Sequence, residues 1–248
     1  MEKTLLRLAP YFLLLLMLAA IGFFLFSRGN DSGSKAKYTD GIKALEMDGN
    51  KYELINDITA ETYVGSKILS VAGAGRGEQV GIIKSMGVIT IAKLFRVLGD
   101  TEGKYLIDNT GRLYMRTGIG VNAAEVREAM KGEAYFPNLH IVNAKHDPYE
   151  SKELTPEEAE MLRSLPDSAE EISVPDKSFI MDYSNRREIF GFTEDGLIYK
   201  VTMELFLYKD AVYLTSGFEG DKNTAKEQKL SGRKLPDEWQ EKFAEYWK

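Results

Sequence analysis

The sequence contains no cysteine and only two histidines among its 248 residues. Without cysteine the chain cannot form a disulfide, use a thiolate nucleophile or hold a cysteine-ligated metal. The histidines, His140 and His146, lie on a proline-containing stretch at a spacing that is not recurrent among metal ligands. No Gly-x-Ser-x-Gly or Ser-x-x-Lys motif accompanies them. We therefore predict no metal centre, no cofactor and no catalytic residue.

Basic residues are also in deficit. The chain has 32 Lys and Arg against 38 Asp and Glu, a formal net charge of −6. Binding to nucleic acid depends on a basic surface that replaces the counterions of the phosphates. The composition therefore predicts that nucleic acid is not a partner.

The longest apolar run covers residues 10–26 and contains no charged side chain. As an α-helix this run would be about 25 Å long, and its flanking residues bring it close to the ~30 Å hydrocarbon core of a bilayer. Lys3 and Arg7 precede the run and a long polar segment follows it, which is the layout of an export signal. We predict that residues 10–27 form a signal-anchor helix in the cell membrane, with residues 1–9 in the cytoplasm and the remainder extracytoplasmic.

Two alternatives stay open for this segment. Lys and Arg are slightly more frequent just after the run than before it, which would favour the opposite orientation. Small residues at Ser27 and Gly29 would allow cleavage by a signal peptidase, although the run is longer than the apolar core of most cleaved signals.

The rest of the chain divides by composition. Residues 28–40 are polar and glycine-containing, which predicts a flexible linker. Residues 41–150 are predicted to form a β-rich subdomain with a short helix, and residues 151–248 an α+β subdomain, as one domain or two. The layout resembles that of many bacterial surface proteins, and the resemblance is architectural only.

Turn residues separate short β-prone runs in the first half. Asp48-Gly49-Asn50 lies between the runs 42–47 and 51–55, and residues 99–103 lie between the runs 93–98 and 104–108. Asp and Gly accept the positive φ of tight reversals. Together with a run at 112–116, the pattern predicts an antiparallel meander.

Capping residues predict two helices. Asn122, Glu125 and Gly132 bracket a helix over 123–131. Thr155 followed by Pro156 begins a second helix that reaches about residue 165.

The most regular alternation covers residues 197–207, where every second side chain is apolar. This period predicts a long strand with one buried face. Runs at 188–192 and 211–215 flank it across short turns and predict three antiparallel strands, with 178–183 as a candidate fourth. The fold class is therefore α+β: antiparallel meander sheets with a few short helices, preceded by one transmembrane helix.

The C-terminal segment predicts an amphipathic helix that begins at Pro236. Its aromatic residues recur at helical spacing: Trp239, Phe243, Tyr246 and Trp247. Such a face packs on a sheet in one interpretation. In the other it binds a partner groove or the bilayer surface, and we therefore consider these residues a candidate partner-binding face.

One glycine-rich segment resembles a phosphate-binding loop without matching it. Gly73, Gly75 and Gly77 surround Arg76, but the glycine spacing departs from the dinucleotide fingerprint and no helix signal follows. A hairpin loop is one interpretation. A ligand-contacting loop of these four residues is the alternative.

These observations favour a membrane-anchored extracytoplasmic binding or regulatory module that is not catalytic. Its expected partners are the lipid bilayer, through residues 10–27, and a protein of the cell envelope. Two alternatives remain: an envelope hydrolase with dispersed carboxylates, whose spacing would depend on the fold, and a structural subunit of an envelope complex.

Overall fold

A computed structural model describes residues 34–56, 72–85, 90–143, 148–165, 170–174, 182–219 and 228–248. The anchor predicted at 10–27 lies outside these ranges. Within them, no helix combines the length and apolar character needed to cross a bilayer. Strands predominate in the described part and its α-helices are few and short, which confirms the prediction of β-sheets with a few helices.

The first half forms a closed seven-stranded barrel with the strand order β1-β2-β3-β8-β7-β6-β5. Neighbouring strands are antiparallel except for β1 and β5, whose parallel pairing closes the barrel. The strands are β1 (Ser34–Tyr38), β2 (Ala44–Met47), β3 (Asn50–Asn56), β5 (Arg76–Ser85), β6 (Thr90–Val97), β7 (Tyr105–Asp108) and β8 (Leu113–Arg116).

The predicted meander is present in this barrel. β2 and β3 pair across a turn in which Asp48 and Gly49 have φ values of 52° and 77°. β6, β7 and β8 follow one another as antiparallel neighbours. Turn chemistry and alternation were sufficient signals for these local pairings.

The flexible-linker prediction is corrected at residues 34–38, which form β1. Its sequence has little β propensity, yet it pairs with both β2 and β5. Neighbouring backbones satisfy its N–H and C=O groups on both sides, so tertiary context overrides a weak local preference.

The second half forms an eight-stranded antiparallel sheet with the order β10-β9-β12-β13-β14-β15-β11, and with β4 added against β13. β9, which lies before the predicted division at residue 150, belongs to this sheet. The strands are β4 (Gly73–Ala74), β9 (Asn138–Asn143), β10 (Lys152–Glu153), β11 (Glu170–Val174), β12 (Arg186–Phe192), β13 (Ile198–Tyr208), β14 (Ala211–Glu219) and β15 (Gln228–Lys234).

The three consecutive strands predicted in this half are present as β12, β13 and β14. Most of the candidate strand at 178–183 lies outside the described residues. The outer neighbours of the trio are instead β9 and β15.

The prediction of one buried face on β13 is wrong. Leu205 and Phe206 are consecutive, point to opposite faces, and are both fully buried. The sheet is therefore covered on both sides at this point.

The predicted helices are present: α1 (Ala123–Ala129), α2 (Pro156–Ser164) and α3 (Asp237–Ala244). The Asn122 side chain accepts a hydrogen bond from the N–H of Ala124. Thr155 and Glu158 form a reciprocal capping box at the start of α2.

Several apolar clusters hold these elements together, and three of them are large. One fills the barrel interior and includes Leu45, Leu94 and Tyr114. A second joins the outside of the barrel to α1 and to the sheet residue Ile198. A third packs α2 and α3 against the opposite side of the sheet, around Leu205. The second cluster fixes the barrel against the sheet.

Candidate functional site at the mouth of the barrel

A cavity of about 440 Å³ opens at one end of the barrel. Its volume lies within the range of small-molecule sites, roughly 300–1,000 Å³. Strands β2, β3, β5, β6, β7 and β8 and the loop after β6 all contribute to its wall. The polar and charged lining consists of Asp48, Asn50, Tyr52, Glu78, Gln79, Arg96, Thr101, Glu102 and Arg116.

Strand alternation explains why two arginines line this mouth. Leu94 on β6 and Tyr114 on β8 belong to the barrel interior. Side chains two positions apart share a face of a strand, so Arg96 and Arg116 lie on the same inner side, nearer the mouth. The mouth is where a barrel can place a charged inner side chain next to water.

Tyr52 forms part of the cavity wall and is only 4% exposed. It lies opposite Arg116 in the pairing of β3 with β8, and its hydroxyl donates to the carbonyl of Gly103 at 3.5 Å. Burial raises the pKa of Tyr52, and the positive charges of Arg116 and Arg96 partly oppose that rise. The carboxylates of Asp100 and Asp48 add to the rise.

Within the described residues, neither Arg96 nor Arg116 forms an ion pair with a carboxylate. Arg116 is half-buried and Arg96 is exposed. A guanidinium presents five N–H donors in a planar fork and stays protonated throughout the physiological range. Two such groups facing one cavity provide donors for an anionic or carbonyl-rich ligand.

Carboxylates from Asp48, Glu78 and Glu102 complete the charged lining, and all three residues are exposed. The cavity therefore presents charges of both signs.

Asp100 fixes the loop that carries Glu102. This buried carboxylate accepts hydrogen bonds from the N–H of Tyr105 at 2.7 Å and of Glu102 at 3.2 Å. Such bonds hold the loop wall before any ligand arrives.

Toward the opposite end of the barrel, two polar side chains of the described strands are buried. Asp108 is fully buried and accepts hydrogen bonds from the N–H and hydroxyl of Thr110 and from the N–H of Arg112. Tyr114 is fully buried beside Tyr38, and burial raises the pKa of Tyr114.

The predicted glycine segment crosses between the barrel and the sheet. A Cβ on Gly73 would lie 3.1 Å from the Tyr199 ring, and one on Gly75 would lie 2.7 Å from the Tyr149 ring. Two strands and two aromatic rings approach here at a distance that only glycine allows.

The remaining residues of that segment contact the barrel. A Cβ on Gly77 would lie 3.2 Å from the carbonyl oxygen of Arg96, so Gly77 supports the backbone of a cavity-lining residue. Arg76 donates to the carbonyl of Asn109 at 3.1 Å and lies 5.8 Å from the Phe95 ring centre. None of the four predicted residues lines the cavity, and their role as a ligand loop stays a prediction.

The predicted aromatic face at the C-terminus lies against the sheet. Phe243 is fully buried in the third cluster, and Trp239, Tyr246 and Trp247 pack around it while remaining half-exposed. Trp247 belongs to a 3-10 turn after α3 rather than to the helix.

Cations and polar contacts hold this tail in place. The guanidinium of Arg187 lies 4.8 Å from the Trp247 ring centre, and its Nε donates to the carbonyl of Tyr246 at 2.9 Å. The Gln240 side chain bonds both the N–H and the carbonyl of Val212. In this arrangement the aromatic rings pack in the apolar core. Partner binding by their exposed edges stays a prediction.

The two histidines are not brought into a described metal site. His140 Nδ1 lies 3.0 Å from the hydroxyl oxygen of Ser151, its ring packs on Phe192, and burial lowers its pKa. His146 lies outside the described residues. The described ranges contain no cluster of three His, Cys, Asp or Glu side chains suited to a metal ion.

One pair of carboxylates lies across neighbouring strands of the sheet. Glu188 and Glu204 are paired in register, and Arg186 lies between them at 2.9 Å and 3.7 Å. Burial raises the pKa of Glu204, Arg186 opposes that rise and Glu188 adds to it. Because Arg186 bridges both carboxylates, this arrangement is an ion-pair cluster with an internal counterion.

The sequence analysis did not identify Tyr52, Arg96 or Arg116 as site residues. A partial signal was present, since Arg96 shares its strand phase with Leu94 and Leu98, whereas Arg116 shares its phase with Arg112 and Tyr114. The meander β6-β7-β8 places both arginines on one face, and their approach to Tyr52 depends on the long-range pairing of β3 with β8, which no local pattern indicated.

Comparisons with known proteins gave no matching family model, no matching curated protein and no matching solved structure.

Proposed function

We propose that this chain is a membrane-anchored extracytoplasmic binding module that is not catalytic and takes a small ligand at the mouth of its barrel. The observation that supports the proposal best is the cavity itself, in which the guanidinium groups of Arg96 and Arg116 face the same space without a described ion-pair partner. The two guanidinium groups supply hydrogen bonds and positive charge, which are properties of a binding site.

The proposed anchor holds the binding module at the membrane surface. Residues 10–27 supply the lipid-embedded segment, and the barrel begins at Ser34. The six residues 28–33 reach at most about 20 Å when fully extended, at roughly 3.3–3.6 Å per residue. A barrel on so short a tether samples ligands close to the membrane surface.

Membrane attachment is tested by fractionation of the full chain and of a form lacking residues 1–27. We expect the full chain to sediment with membranes and to be cut by protease added outside cells whose outer layers have been opened. The shortened form is expected to stay in the soluble fraction. Recovery of both forms in the soluble fraction would contradict the anchor.

Ligand capture at the mouth is tested with a photoreactive amino acid placed at Thr101, on the cavity wall, or at Glu160, on the exposed side of α2. After irradiation of intact cells, intact-mass spectrometry should show a discrete adduct at Thr101 and none at Glu160. Substitution of both Arg96 and Arg116 by Gln should remove the adduct. The absence of any adduct at Thr101, or equal adducts at both positions, would contradict a binding function at this site.

A further inference from the structure

The charges around the mouth separate into two kinds of position. Arg116 is half-buried beside Tyr52, and Arg96 lies on the inner face of β6. The carboxylates of Asp48, Glu78 and Glu102 are exposed around the opening. A ligand entering the cavity therefore meets exposed charges of both signs, the three carboxylates and Arg96, and the half-buried guanidinium of Arg116.

The two guanidinium groups can reach a common point. β6 and β8 flank β7, so their axes are separated by about 10 Å at the usual strand spacing of 4.7–4.9 Å. Leu106 on β7 is paired with Arg96 on β6 and with Tyr114 on β8, two residues before Arg116, and it presents an inward apolar side chain. Because both arginines line the same cavity, a ligand carboxylate over Leu106 has a guanidinium fork on either side.

The rim carboxylates argue against a purely anionic ligand. Three carboxylates and two guanidinium groups line one cavity of about 440 Å³. At separations of a few ångströms, the repulsion of like charges near a protein surface is of the same order as the attraction of opposite charges. A ligand with an ammonium group as well as a carboxylate satisfies both sets.

We propose that the barrel mouth binds a zwitterionic amino acid or short peptide, with its carboxylate between Arg96 and Arg116 and its ammonium group toward Glu78 and the rim. This inference rests on the proposed function, because it names the ligand class of the same site. Tyr52 and Leu106 supply the apolar floor between the charged ends. The cavity volume suits a few residues of peptide and not a folded partner.

Isothermal titration of the full chain in detergent at pH 6.5 tests the charge pattern with four probes. Trialanine carries both charges, N-acetyl-trialanine only the negative one and trialanine amide only the positive one, while inorganic phosphate is a simple anion. We expect trialanine to bind at least about tenfold more tightly than either blocked peptide, since blocking one end removes a charged hydrogen bond.

Amino-acid substitutions test which residues bind the carboxylate and which bind the ammonium group of the peptide. Arg96→Gln and Arg116→Gln should each weaken trialanine and N-acetyl-trialanine about tenfold and leave the amide unchanged. Glu78→Gln should weaken trialanine and the amide and leave the acetylated peptide unchanged. Lys37→Gln, on the outer surface of β1 in an ion pair with Glu46, is the matched control and should change none of these affinities. Thermal unfolding of each variant checks that the fold is retained.

Tighter binding of phosphate or N-acetyl-trialanine than of trialanine would overturn the zwitterion proposal in favour of a simple anion site. Binding of the amide alone, or of no probe, would also overturn it. If the adduct at Thr101 still forms in cells under either outcome, the ligand class is wrong and the binding function stands. If that adduct is absent as well, both proposals fail.

Discussion

The Tyr149 hydroxyl accepts a hydrogen bond from the backbone N–H of Gly75 at 2.8 Å. The same hydroxyl donates to the carbonyl of Leu197 at 3.2 Å. Gly75 lies between β4, which pairs with the sheet, and β5, which belongs to the barrel. The Tyr149 hydroxyl therefore bonds the chain at the point where it passes from the sheet to the barrel. The strand that follows, β5, carries the cavity residue Glu78.

Substitution of Gly75 by alanine is expected to destabilise the protein by about 1–3 kcal/mol. The new Cβ would lie 2.7 Å from the Tyr149 ring and 3.0 Å from the Leu98 Cβ, so the ring or the strand has to move. The free energy of unfolding in urea measures the effect. Gly132→Ala is the matched control, since its Cβ would meet only the carbonyl oxygen of Ala129, at an ordinary 3.5 Å. Equal losses in the two variants would contradict the close-approach explanation.

Removal of the phenol oxygen alone tests the hydrogen bonds rather than the packing. Tyr149→Phe keeps the ring but leaves the Gly75 N–H and the Leu197 carbonyl without this partner, at an expected cost of about 1–3 kcal/mol. Amide hydrogen exchange at Gly75 should accelerate in this variant. Tyr213→Phe, on β14, is the control, and an equal loss of stability there would argue against a specific role for Tyr149.

Local signals predicted much of this fold because local physics determines those elements. Asp48 and Gly49 adopt the positive φ that their turn requires, and Thr155 with Glu158 forms a capping box. A turn or a cap involves residues a few positions apart, so its stabilising contacts are visible in the sequence.

The parts that sequence did not predict depend on long-range pairing. β1 forms a strand because it pairs with β2 on one side and with β5 on the other. β4 forms a strand because it pairs with β13 at Tyr199. The cavity needs long-range pairing as well, since Tyr52 joins Arg116 in its wall only through the pairing of β3 with β8. Propensity alone carries no information about such partners.

The capping carboxylate of α2 gives a pH-dependent stability. Burial alone would raise the pKa of Glu158, but hydrogen bonds from Thr155 and the charge of Lys242 outweigh it and lower the pKa below its usual value. A carboxyl whose pKa is lower in the folded state stabilises the fold above the unfolded pKa, and this stability is lost as pH falls through the folded pKa.

Glu158→Gln should therefore lower the free energy of unfolding at pH 7 and flatten its decline below about pH 4.5. Urea unfolding of the wild-type protein and the variant between pH 3 and pH 7 measures both effects. Glu157→Gln, an exposed residue in the first turn of the same helix, is the control with a small change at every pH. If the free energies of unfolding of the wild-type protein and Glu158→Gln differ by the same amount at every pH from 3 to 7, the proposed pH dependence is contradicted.

Glu204 is expected to show the opposite sign. Burial raises its pKa, Arg186 only partly opposes this, and Glu188 adds to the rise. The folded state then binds this proton more tightly than the unfolded state, so ionisation of Glu204 destabilises the fold as pH rises through the usual carboxyl range. Glu204→Gln should stabilise the protein at pH 7, and the difference from wild type should vanish below about pH 4.5.

The same urea series measures this effect, with Glu46→Gln as the control, because Glu46 forms a surface ion pair with Lys37. Exposed pairs of that kind contribute roughly 0–1 kcal/mol, so the control should change little with pH. A loss of stability for Glu204→Gln at pH 7 would show that the bridge to Arg186 outweighs the cost of burying the charge. The carboxylate pair would then stabilise the sheet in its ionised form, in contradiction to the raised pKa.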